Sequence, residues 1–460
     1  MTQAGVHPTA IDVFAHYYRL LEHGETGMIR ESSIDPIGMD SIDDVEVADE
    51  QAADAIRGTV VIKLNGGLGT SMGMDRAKSL LCVRRGLSFL DIIARQVLHA
   101  RKEYDADLPV IFMNSFRTSE DTLAALARYQ DLPTEGLPLE FLQNKEPKLL
   151  VDSLAPVSYP KRPDLEWCPP GHGDLYTALL GTGLIDALIE AGYRYCFVSN
   201  ADNLGAVPDA RVAGWFAASG APFAIEAVRR TPSDKKGGHF ARRKSDGRIV
   251  LRETAQTLPA DQAALADLDR HRYCSTNNLW FDLEAMRRTL VSRDGVLGLP
   301  LIRNVKRVDP ADPSTPKVIQ IETAMGAAIE VFEDARTIEV GRDRFVPVKT
   351  TNDLLLLRSD VYDLGRDFVL DKVSHEVPYV ELDDDYYKLV GDFDKRFPEG
   401  APSMKDATAL RVDGDWTFGR GVRIVGEVSL GQQSGAQRIE PGKILGEPAP
   451  VAAGADPADG

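Results

Sequence analysis

From residue 59 onward, short apolar segments rich in β-branched residues alternate with segments of helical periodicity. The apolar segments are TVVIKL at 59–64, LPVIFMN at 108–114, YRYCFVSN at 193–200 and APFAIEAV at 221–228. Between the first two, the segment 89–104 repeats apolar residues on one helical face. Strands that alternate with helices pair in parallel and are covered by helices on both sides. The pattern therefore predicts an α/β fold, with ligands bound beyond the carboxyl ends of its strands.

Changes in sequence character predict four parts. Residues 1–55 combine a helix over 11–23 with an acidic connector, and residues 56–368 carry the alternating pattern. Residues 369–446 have short apolar pairs with glycines at turn-like intervals, which is typical of a few coils of a β-helix or of a small β-appendage. The end of the chain, 447–460, is rich in Ala, Pro, Gly and Asp and predicts a disordered tail.

Length and charge restrict the class of protein. A chain of 460 residues suits two or three domains, and its 43% hydrophobic content is enough for a large core. A net charge of −17 argues against binding to nucleic acid or to an anionic membrane. We find no apolar run of membrane-spanning length and no signal-peptide pattern at the N-terminus. The four cysteines lack metal-ligand spacing and predict reduced thiols, hence a cytoplasmic protein.

The segment NGGLGTSMGMDRAKS, 65–79, follows the first predicted strand and holds four glycines. Such a loop can turn several backbone N–H groups toward phosphate oxygens. It is not a P-loop, because Gly73 is followed by Met-Asp-Arg-Ala-Lys rather than Lys-Ser/Thr, which also argues against a kinase. Its spacing differs from a dinucleotide fingerprint as well. An ordinary glycine-rich loop is the alternative interpretation.

Two further motifs lie at the ends of predicted elements, one at the start of a helix and one at the end of a strand. In WCPPGHGDLYTALL, 167–180, two prolines and two glycines surround His172, and Asp174 is expected to cap the next helix. A helix start suits an anion, although a structural histidine in a tight turn is equally compatible with this pattern. In FVSNADNLG, 197–205, a buried strand delivers Asn200 and Asp202 to the carboxyl edge of the sheet. A single carboxylate there suits Mg²⁺, and capping of the loop is the alternative.

Three more motifs follow later in the chain: TNNLW at 276–280, ETAMGAAI at 322–329 and PVKTTNDLLL at 347–356. Together with the earlier motifs they occur in the same order as in a known family. With KLNGGLGTSMG, PPGHGD and N-x-DNLGA, they closely resemble the eukaryotic-type UTP–glucose-1-phosphate uridylyltransferases, also called UDP-glucose pyrophosphorylases. The resemblance spans about residues 55–435 and implies a Rossmann-like nucleotidyltransferase domain with a mixed, mainly parallel sheet. It also implies a small C-terminal domain that is a left-handed β-helix.

The resemblance implies roles for the matching positions. Those expected at the nucleotide are Leu64, Asn65, Gly66, Gly67, Gln143 and Gly171, the last two reading uracil. Those expected at the phosphates and metal are Lys78, His172, Lys349 and Asp202, with Asp202 binding Mg²⁺ and Asn200 near the sugar. Those expected around glucose are Gly238, Glu253, Asn277 and Asn278. Where the family has Lys-Gly-Pro-Lys, this chain has Asp75-Arg76-Ala77-Lys78, so only the last lysine is kept.

The implied enzyme is a nucleotidyltransferase whose substrates and products are UTP, glucose 1-phosphate, UDP-glucose and pyrophosphate, with Mg²⁺ as cofactor. A sugar-phosphate oxygen attacks the α-phosphorus of UTP in line, which requires no protein nucleophile. Two alternatives stay open: transfer to another hexose 1-phosphate, and an inactive nucleotide-sugar sensor with the same fold. A second copy of the chain is a candidate partner. An amide side chain such as Gln143 pairs with a donor and an acceptor of uracil, which predicts preference for UTP over CTP.

Overall fold

The computed structural model describes residues 1–235, 237–310 and 312–447, so the tail predicted at 447–460 lies, except for residue 447, outside the described residues. The described chain forms two compact units. The first comprises residues 1–67 and 90–346, and the second comprises residues 68–89 and 347 onward. The segment 68–89 thus belongs to the same unit as the C-terminal part of the chain. The domain boundaries expected at residues 55, 368 and 446 stay a prediction.

The first unit is built around a central sheet whose strands run through the predicted apolar segments. The strands are β1 (Thr59–Asn65), β2 (Val110–Asn114), β3 (Glu140–Leu142), β4 (Tyr195–Asn200), β5 (Phe223–Arg229), β6 (Tyr273–Asp282) and β7 (Arg336–Glu339). Their order across the sheet is β7-β5-β6-β4-β1-β2-β3. Among these described strands β6 alone runs antiparallel to its neighbours. The predicted α/β fold with a mixed, mainly parallel sheet is confirmed.

Helices pack around this sheet. They are α1 (Pro8–Glu22), α2 (Asp49–Arg57), α3 (Phe89–Tyr104), α4 (Ser119–Leu126), α5 (Asp174–Gly181), α6 (Leu184–Glu190), α7 (Ala210–Ser219), α8 (Gln262–Leu265) and α9 (Leu283–Ser292). Helix α3 has the bounds that its periodicity predicts, and α1 begins three residues earlier than predicted. One core cluster joins sheet residues such as Val60 and Val198 to residues of α5 such as Leu175, all buried. Within the described residues no helix is both long and apolar enough to cross a membrane.

Short strands extend the first unit beyond the sheet. Their bounds are Ile34–Asp35, Glu146–Pro147, Leu149–Leu150, Trp167–Cys168, His239–Arg243, Ile249–Arg252, Ile302–Arg307 and Lys317–Glu322. In the hairpin formed by the strands that begin at His239 and Ile249, His239 pairs with Arg252, so residue 238 and Glu253 lie side by side at the same end of the hairpin. Two of the expected sugar-binding positions, Gly238 and Glu253, are therefore held by a separate small sheet, whereas Asn277 and Asn278 lie on β6.

The second unit contains helices and mostly parallel strands. Its helices are α10 (Thr351–Arg358), α11 (Asp384–Tyr387) and α12 (Val390–Arg396), and its small antiparallel pairs are Cys82–Arg84 with Leu87–Ser88 and Tyr362–Leu364 with Leu370–Lys372. The remaining strands are β8 (Tyr379–Leu382), β9 (Ser403–Val412), β10 (Trp416–Phe418), β11 (Arg423–Leu430), β12 (Gln437–Ile439) and β13 (Ile444–Leu445). Strands β8, β9, β11 and β13 pair in parallel, as do β10 and β12.

Candidate active site

The carboxyl ends of four central strands lie side by side. Asn200 at the end of β4 pairs with Leu64, and Asn65 at the end of β1 pairs with Asn114 of β2. Asn114 in turn pairs with Leu142 at the end of β3. Parallel strands present their carboxyl ends at one edge of the sheet, where ligands bind in such folds. Segments from 64, 142 and 200 onward, far apart in sequence, thus begin at a common edge.

Gln143 lies against the glycine loop. A Cβ atom built on Gly66 would lie 2.8 Å from Gln143 Oε1 and 3.0 Å from its Nε2. The Gln143 backbone is fixed as well, since its N–H donates to the carbonyl of Asn114 over 2.8 Å. A Cβ on neighbouring Gly67 would meet nothing within 4 Å, so Gly67 is open to solvent. The structure therefore brings together the bare backbone of the loop and the amide expected to read uracil.

Asn65 points into the protein rather than toward a ligand. Its side chain is buried, and its Nδ2 donates to Asn114 Oδ1 and to Thr122 Oγ1, each over 2.8 Å. The Asn65 amide therefore joins β1 to β2 and α4, which sets the direction in which the chain leaves the sheet. Only the backbone of Asn65 remains available to a nucleotide. Leu64, the residue before it, is half-buried.

The turn at 170–173 is packed against the segment that begins at Glu322. Gly171 has φ +79°, and a Cβ there would lie 2.7 Å from the carbonyl oxygen of Thr323. The Gly173 N–H donates to the same oxygen over 2.8 Å, and the Thr323 N–H donates to the carbonyl of Pro170 over 3.0 Å. Gly171 is thus required both by its left-handed backbone and by close backbone approach. The ETAMGAAI motif, to which the sequence alone gives no role, supplies the platform for this turn.

His172 is held as a neutral hydrogen-bond donor. Its Nδ1 accepts the N–H of Met325 over 3.0 Å, which leaves the proton of the neutral ring on Nε2. The ring surface is exposed to solvent, but protein atoms crowd around it, and their desolvation lowers the pKa of His172 to about 4. At neutral pH His172 therefore offers an anion an N–H group rather than a positive charge.

Asp174 does not cap the following helix, so that prediction is wrong. Helix α5 begins at Asp174 itself, and its N-cap is Gly173, which lacks a side chain. The buried Asp174 carboxylate instead accepts the backbone N–H of Asn144 over 2.5 Å and its Nδ2 over 2.8 Å. Burial raises the pKa of Asp174 to about 7. Asp174 thereby connects the turn that carries His172 to the residue that follows Gln143.

Asp202 lies in the loop after β4, close to the end of β1. The N–H of Ala201 donates to the carbonyl of Leu64 over 3.0 Å, and the N–H of Asn203 donates to the carbonyl of Asn200 over 3.2 Å. Asp202 and Asn200 are both half-buried. A carboxylate at this edge fits Mg²⁺, which takes few protein oxygens and fills its other positions with water and phosphate oxygens.

The two expected sugar-binding asparagines have different environments because β6 contains a bulge. Residues 276–278 lie opposite the single residue Glu226 of β5, and Asn277 adopts φ +59°. Asn278 is fully buried and its Nδ2 donates to Glu226 Oε2 over 2.9 Å. Asn277 is only half-buried, and its Oδ1 lies 4.0 Å from a Cβ built on Gly326. Of the two amides, Asn277 is placed for a ligand and Asn278 for the core.

Gly238 and Glu253 are neighbours. A Cβ on Gly238 would lie 2.8 Å from Glu253 Oε2 and 2.8 Å from the carbonyl of Arg252. Glu253 also begins a short 3₁₀ turn in a reciprocal capping arrangement with Gln256. The structure thus brings together these two positions, which are 15 residues apart and are both expected at the sugar.

The two expected catalytic lysines belong to the second unit and are linked there. Lys78 Nζ donates to the carbonyl of Val348, the residue before Lys349. The stem of Lys78 also lies beside Gly69, where a Cβ would be 3.2 Å from Lys78 Cγ. The Lys349 side chain is exposed, and its backbone N–H donates to Asp353 Oδ2 over 2.7 Å at the start of α10. The glycine loop and the Lys349 motif therefore meet through Lys78.

A cluster that resembles a metal site lies beside Gly238 and Glu253, because it includes His239, the residue after Gly238. Glu31, His239 and His271 place ligand atoms within 4.8 Å of one another. The Glu31 carboxylate, however, is paired with Arg252 Nη2 and with Arg270 Nε, each over 2.7 Å. Two guanidinium groups already neutralise this carboxylate, so the cluster fits an ion-pair network better than a cation site.

The chain is similar in sequence and in fold to several named proteins. Residues 11–425 match the sequence model of the family described as UTP–glucose-1-phosphate uridylyltransferase. The chain is 39% identical over 391 residues to the UTP–glucose-1-phosphate uridylyltransferase of Astragalus penduliflorus, covering 84% of this chain and 80% of the relative. It is 36% identical over 402 residues to the probable UTP–glucose-1-phosphate uridylyltransferase of Schizosaccharomyces pombe, covering 86% and 78%.

Solved structures agree. A mutant of UDP-glucose pyrophosphorylase from Leishmania major in complex with UDP-glucose superposes with a TM-score of 0.92 at 41% identity, over 97% of this chain and 96% of that one. The UDP-glucose phosphorylase of Trypanosoma brucei superposes with a TM-score of 0.91 at 40% identity, over 97% and 96%. The family resemblance predicted from six short motifs is confirmed.

Proposed function

The chain belongs to the UTP–glucose-1-phosphate uridylyltransferase family, and we propose that it transfers the uridylyl group of UTP to glucose 1-phosphate, releasing pyrophosphate. The observation that carries the proposal is the edge of the sheet where the loop at Gly66, Gln143 and the loop of Asp202 begin side by side. A nucleotidyltransferase needs a group that recognises the base, backbone N–H groups that the phosphates can approach, and a carboxylate for the metal. This edge of the sheet offers all three.

We assign base recognition to Gln143 and the backbone around Gly66 and Gly171. A side-chain amide offers one donor and one acceptor, which match the N3–H and a carbonyl of uracil. The fixed backbone of Gln143 and its contact with Gly66 support this role, because a preorganised amide discriminates better than a mobile one. Cytosine would leave the same groups facing like partners.

We assign the phosphates to His172, Lys78 and Lys349. Neutral His172 would donate its Nε2–H to a phosphate oxygen, with the ring orientation set by Met325. The two lysines would neutralise the charge that develops on the leaving pyrophosphate, which is the main electrostatic demand of phosphoryl transfer. Their link through the carbonyl of Val348 supports a joint role.

We assign the metal to Asp202 and take Mg²⁺ as the ion. When bound, Mg²⁺ would supply compensation for the charge of the phosphate oxygens. The protein's own part is to hold the Asp202 carboxylate at the edge where β1 and β4 end. Around the sugar, Gly238, Glu253 and Asn277 remain the candidates for contact, with Asn200 at the ribose or glucose side. The buried Asn278 would act by supporting its neighbour.

We further propose that the C-terminal strands β8–β13 form a left-handed β-helix. The parallel pairing of strands that follow one another closely in sequence supports a coiled arrangement. A cytoplasmic location, self-association and the boundaries of the domains remain predictions from the sequence.

The test is a pyrophosphate-release assay with UTP, CTP, ATP and GTP, each combined with glucose, galactose, mannose and N-acetylglucosamine 1-phosphates. We expect turnover with UTP and glucose 1-phosphate to exceed all other pairs. Asp202→Ala should lower turnover by roughly 10²–10³-fold, as loss of one preorganised electrostatic contact does. Turnover without added metal at the full rate, or equal turnover with CTP, would contradict the proposal. A folded protein that is inactive with every pair would favour a nucleotide-sugar sensor.

A further inference from the structure

Lys63 is an unusual residue for the interior of a central strand. It lies in the middle of β1 and its side chain is only 1% exposed. Burial lowers the pKa of Lys63 to about 7, an indication of how strongly its surroundings disfavour the charge. Lysine is almost never fully buried unless its amine is satisfied. The position of its hydrogen-bond acceptors therefore indicates what the buried amine does.

Both acceptors belong to the chain segment that surrounds Asp202. Lys63 Nζ donates to Ser199 Oγ over 2.8 Å and to the carbonyl of Ala206 over 2.6 Å. Ser199 lies three residues before Asp202 and Ala206 lies four residues after it. One amine thus joins the entry and the exit of the loop 200–205, and either protonation state of Lys63 can donate to both.

A second anchor holds the middle of the same loop. Asn203 is 1% exposed, and its Oδ1 accepts the N–H of Val346 over 2.8 Å and that of Gly205 over 3.2 Å. Its Nδ2 donates to the carbonyl of Arg344 over 3.1 Å. The loop is therefore fixed at its entry, its middle and its exit by buried side chains.

The Arg344 anchor is itself rigid. Its Nε and Nη2 donate to the two oxygens of Glu226, each over 2.7 Å, in a bidentate pair. Glu226 is fully buried and also accepts from Asn278 and from Trp280 Nε1, each over 2.9 Å. A buried pair whose carboxylate accepts four hydrogen bonds fixes one geometry rather than adding much stability.

We propose that Lys63 is a positioning residue for Asp202: it clamps the loop 200–205 at Ser199 and Ala206, and so holds the carboxylate where the metal and the phosphates require it. Lys63 contacts no substrate in this role and acts through the backbone of the loop. The catalytic consequence depends on Asp202 acting as proposed above, whereas the clamp itself does not.

The same strand offers a matched control. Thr59 is the first residue of β1, at the end away from the carboxyl edge of the sheet. It is fully buried, and its Oγ1 donates to the carbonyl of Ala55 over 2.7 Å. Thr59→Val removes a buried hydrogen bond from β1 without touching the loop. Lys63→Met keeps the length of the side chain and removes both donated bonds, and Ser199→Ala removes one acceptor and spares the lysine.

Hydrogen exchange of the metal-free, substrate-free protein tests the clamp directly. We expect peptides covering 199–207 to exchange on the order of tenfold faster in Lys63→Met, because the loop loses both of its buried hydrogen bonds to the amine. Ser199→Ala should show a smaller increase in the same peptides, and Thr59→Val none. Equal exchange of 199–207 in the parent, Lys63→Met and Ser199→Ala proteins would overturn the clamp. If Lys63→Met does not fold, the exchange of Ser199→Ala decides.

Steady-state kinetics then tests the consequence. We expect Lys63→Met to lower kcat and to raise the Mg²⁺ concentration needed for half-maximal rate, with the KM for glucose 1-phosphate nearly unchanged. Thr59→Val should keep all three parameters. Faster exchange in Lys63→Met together with full activity in Asp202→Ala would preserve the clamp and refute the proposed metal role. Faster exchange with an unchanged Mg²⁺ requirement in Lys63→Met, while Asp202→Ala is impaired, would refute the positioning role.

Discussion

Replacing Gly66 by alanine should displace the Gln143 amide while leaving the fold intact. The new Cβ would lie 2.8 Å from Gln143 Oε1, whereas ordinary contacts begin at 3.4 Å, so the amide must move by at least about 0.6 Å. Gly66 does not have a positive φ, and the clashing atoms are the far end of a flexible side chain. Alanine is therefore allowed at this position, and the amide gives way.

The expected cost falls on uracil recognition. A displaced Gln143 loses one or two hydrogen bonds to the base, each about 1 kcal/mol net, which predicts a fall in kcat/KM for UTP of roughly 10- to 100-fold. Activity with CTP should fall less, because cytosine does not match the amide in its original position. The melting temperature should stay within a few degrees of the parent, as in the control Gly67→Ala, whose Cβ would meet nothing within 4 Å.

A double-mutant cycle separates this mechanism from direct contact between Gly66 and the nucleotide. Gln143→Ala alone should cost about as much as Gly66→Ala alone, and the double variant should cost no more than Gln143→Ala. The assay is kcat/KM for UTP and for CTP in all four proteins, with thermal unfolding in parallel. Additive losses would refute the reasoning, since Gly66 would then act without Gln143. Equal losses with UTP and CTP would refute the assignment of base recognition.

The other predictions concern the turn, the lysines and the buried carboxylate. Gly171→Ala should lower the free energy of unfolding by about 2 kcal/mol or more, because φ at this position is positive and the new Cβ would clash with the Thr323 carbonyl. The control Gly136→Ala has φ +76° and open space around the Cβ, so it should lower the free energy of unfolding only through backbone strain. Lys78→Ala and Lys349→Ala should each lower kcat far more than they raise the KM for glucose 1-phosphate, and arginine should restore little, because a planar fork replaces a compact ammonium; losses as large in Lys145→Ala would contradict the assignment. Burial raises the pKa of Asp174 from 3.8 to about 7 in the folded state. Between these two pH values the folded protein therefore keeps the proton of Asp174, whereas the unfolded chain has lost it. The stability of the parent relative to Asp174→Asn should therefore fall as pH rises from about 4 to 7, by up to ~4 kcal/mol in urea unfolding, and a flat or rising difference would contradict the shift.

Sequence reasoning predicted which strand ends meet at one edge, because the strands follow local patterns. Apolar β-branched segments placed the strands, and the rule for parallel sheets then predicted that the residues after Leu64 and after Val198 meet at one edge. Both expectations agree with the pairing of β1 and β4.

Side-chain direction at the edge was decided by tertiary structure. Asn277 and Asn278 are adjacent and chemically identical, yet at the bulge opposite Glu226 the first is only half-buried and the second is fully buried. Asp174 stands at a helix start, where capping is the usual role, but its carboxylate binds Asn144 across the turn. A local pattern cannot predict these outcomes, since each depends on a partner that the chain brings in from elsewhere.

The residues by themselves determined the fold class, the family and the set of chemical groups, because periodicity and motif spacing are properties of short segments. Tertiary structure alone decided which of those groups are presented to a ligand and which hold the others in place. Lys63 shows the reason: in sequence it is one lysine before a glycine loop, and its role follows only from Ser199 and Ala206, more than 130 residues away. The partners of a buried polar group are chosen by packing, which no short segment encodes.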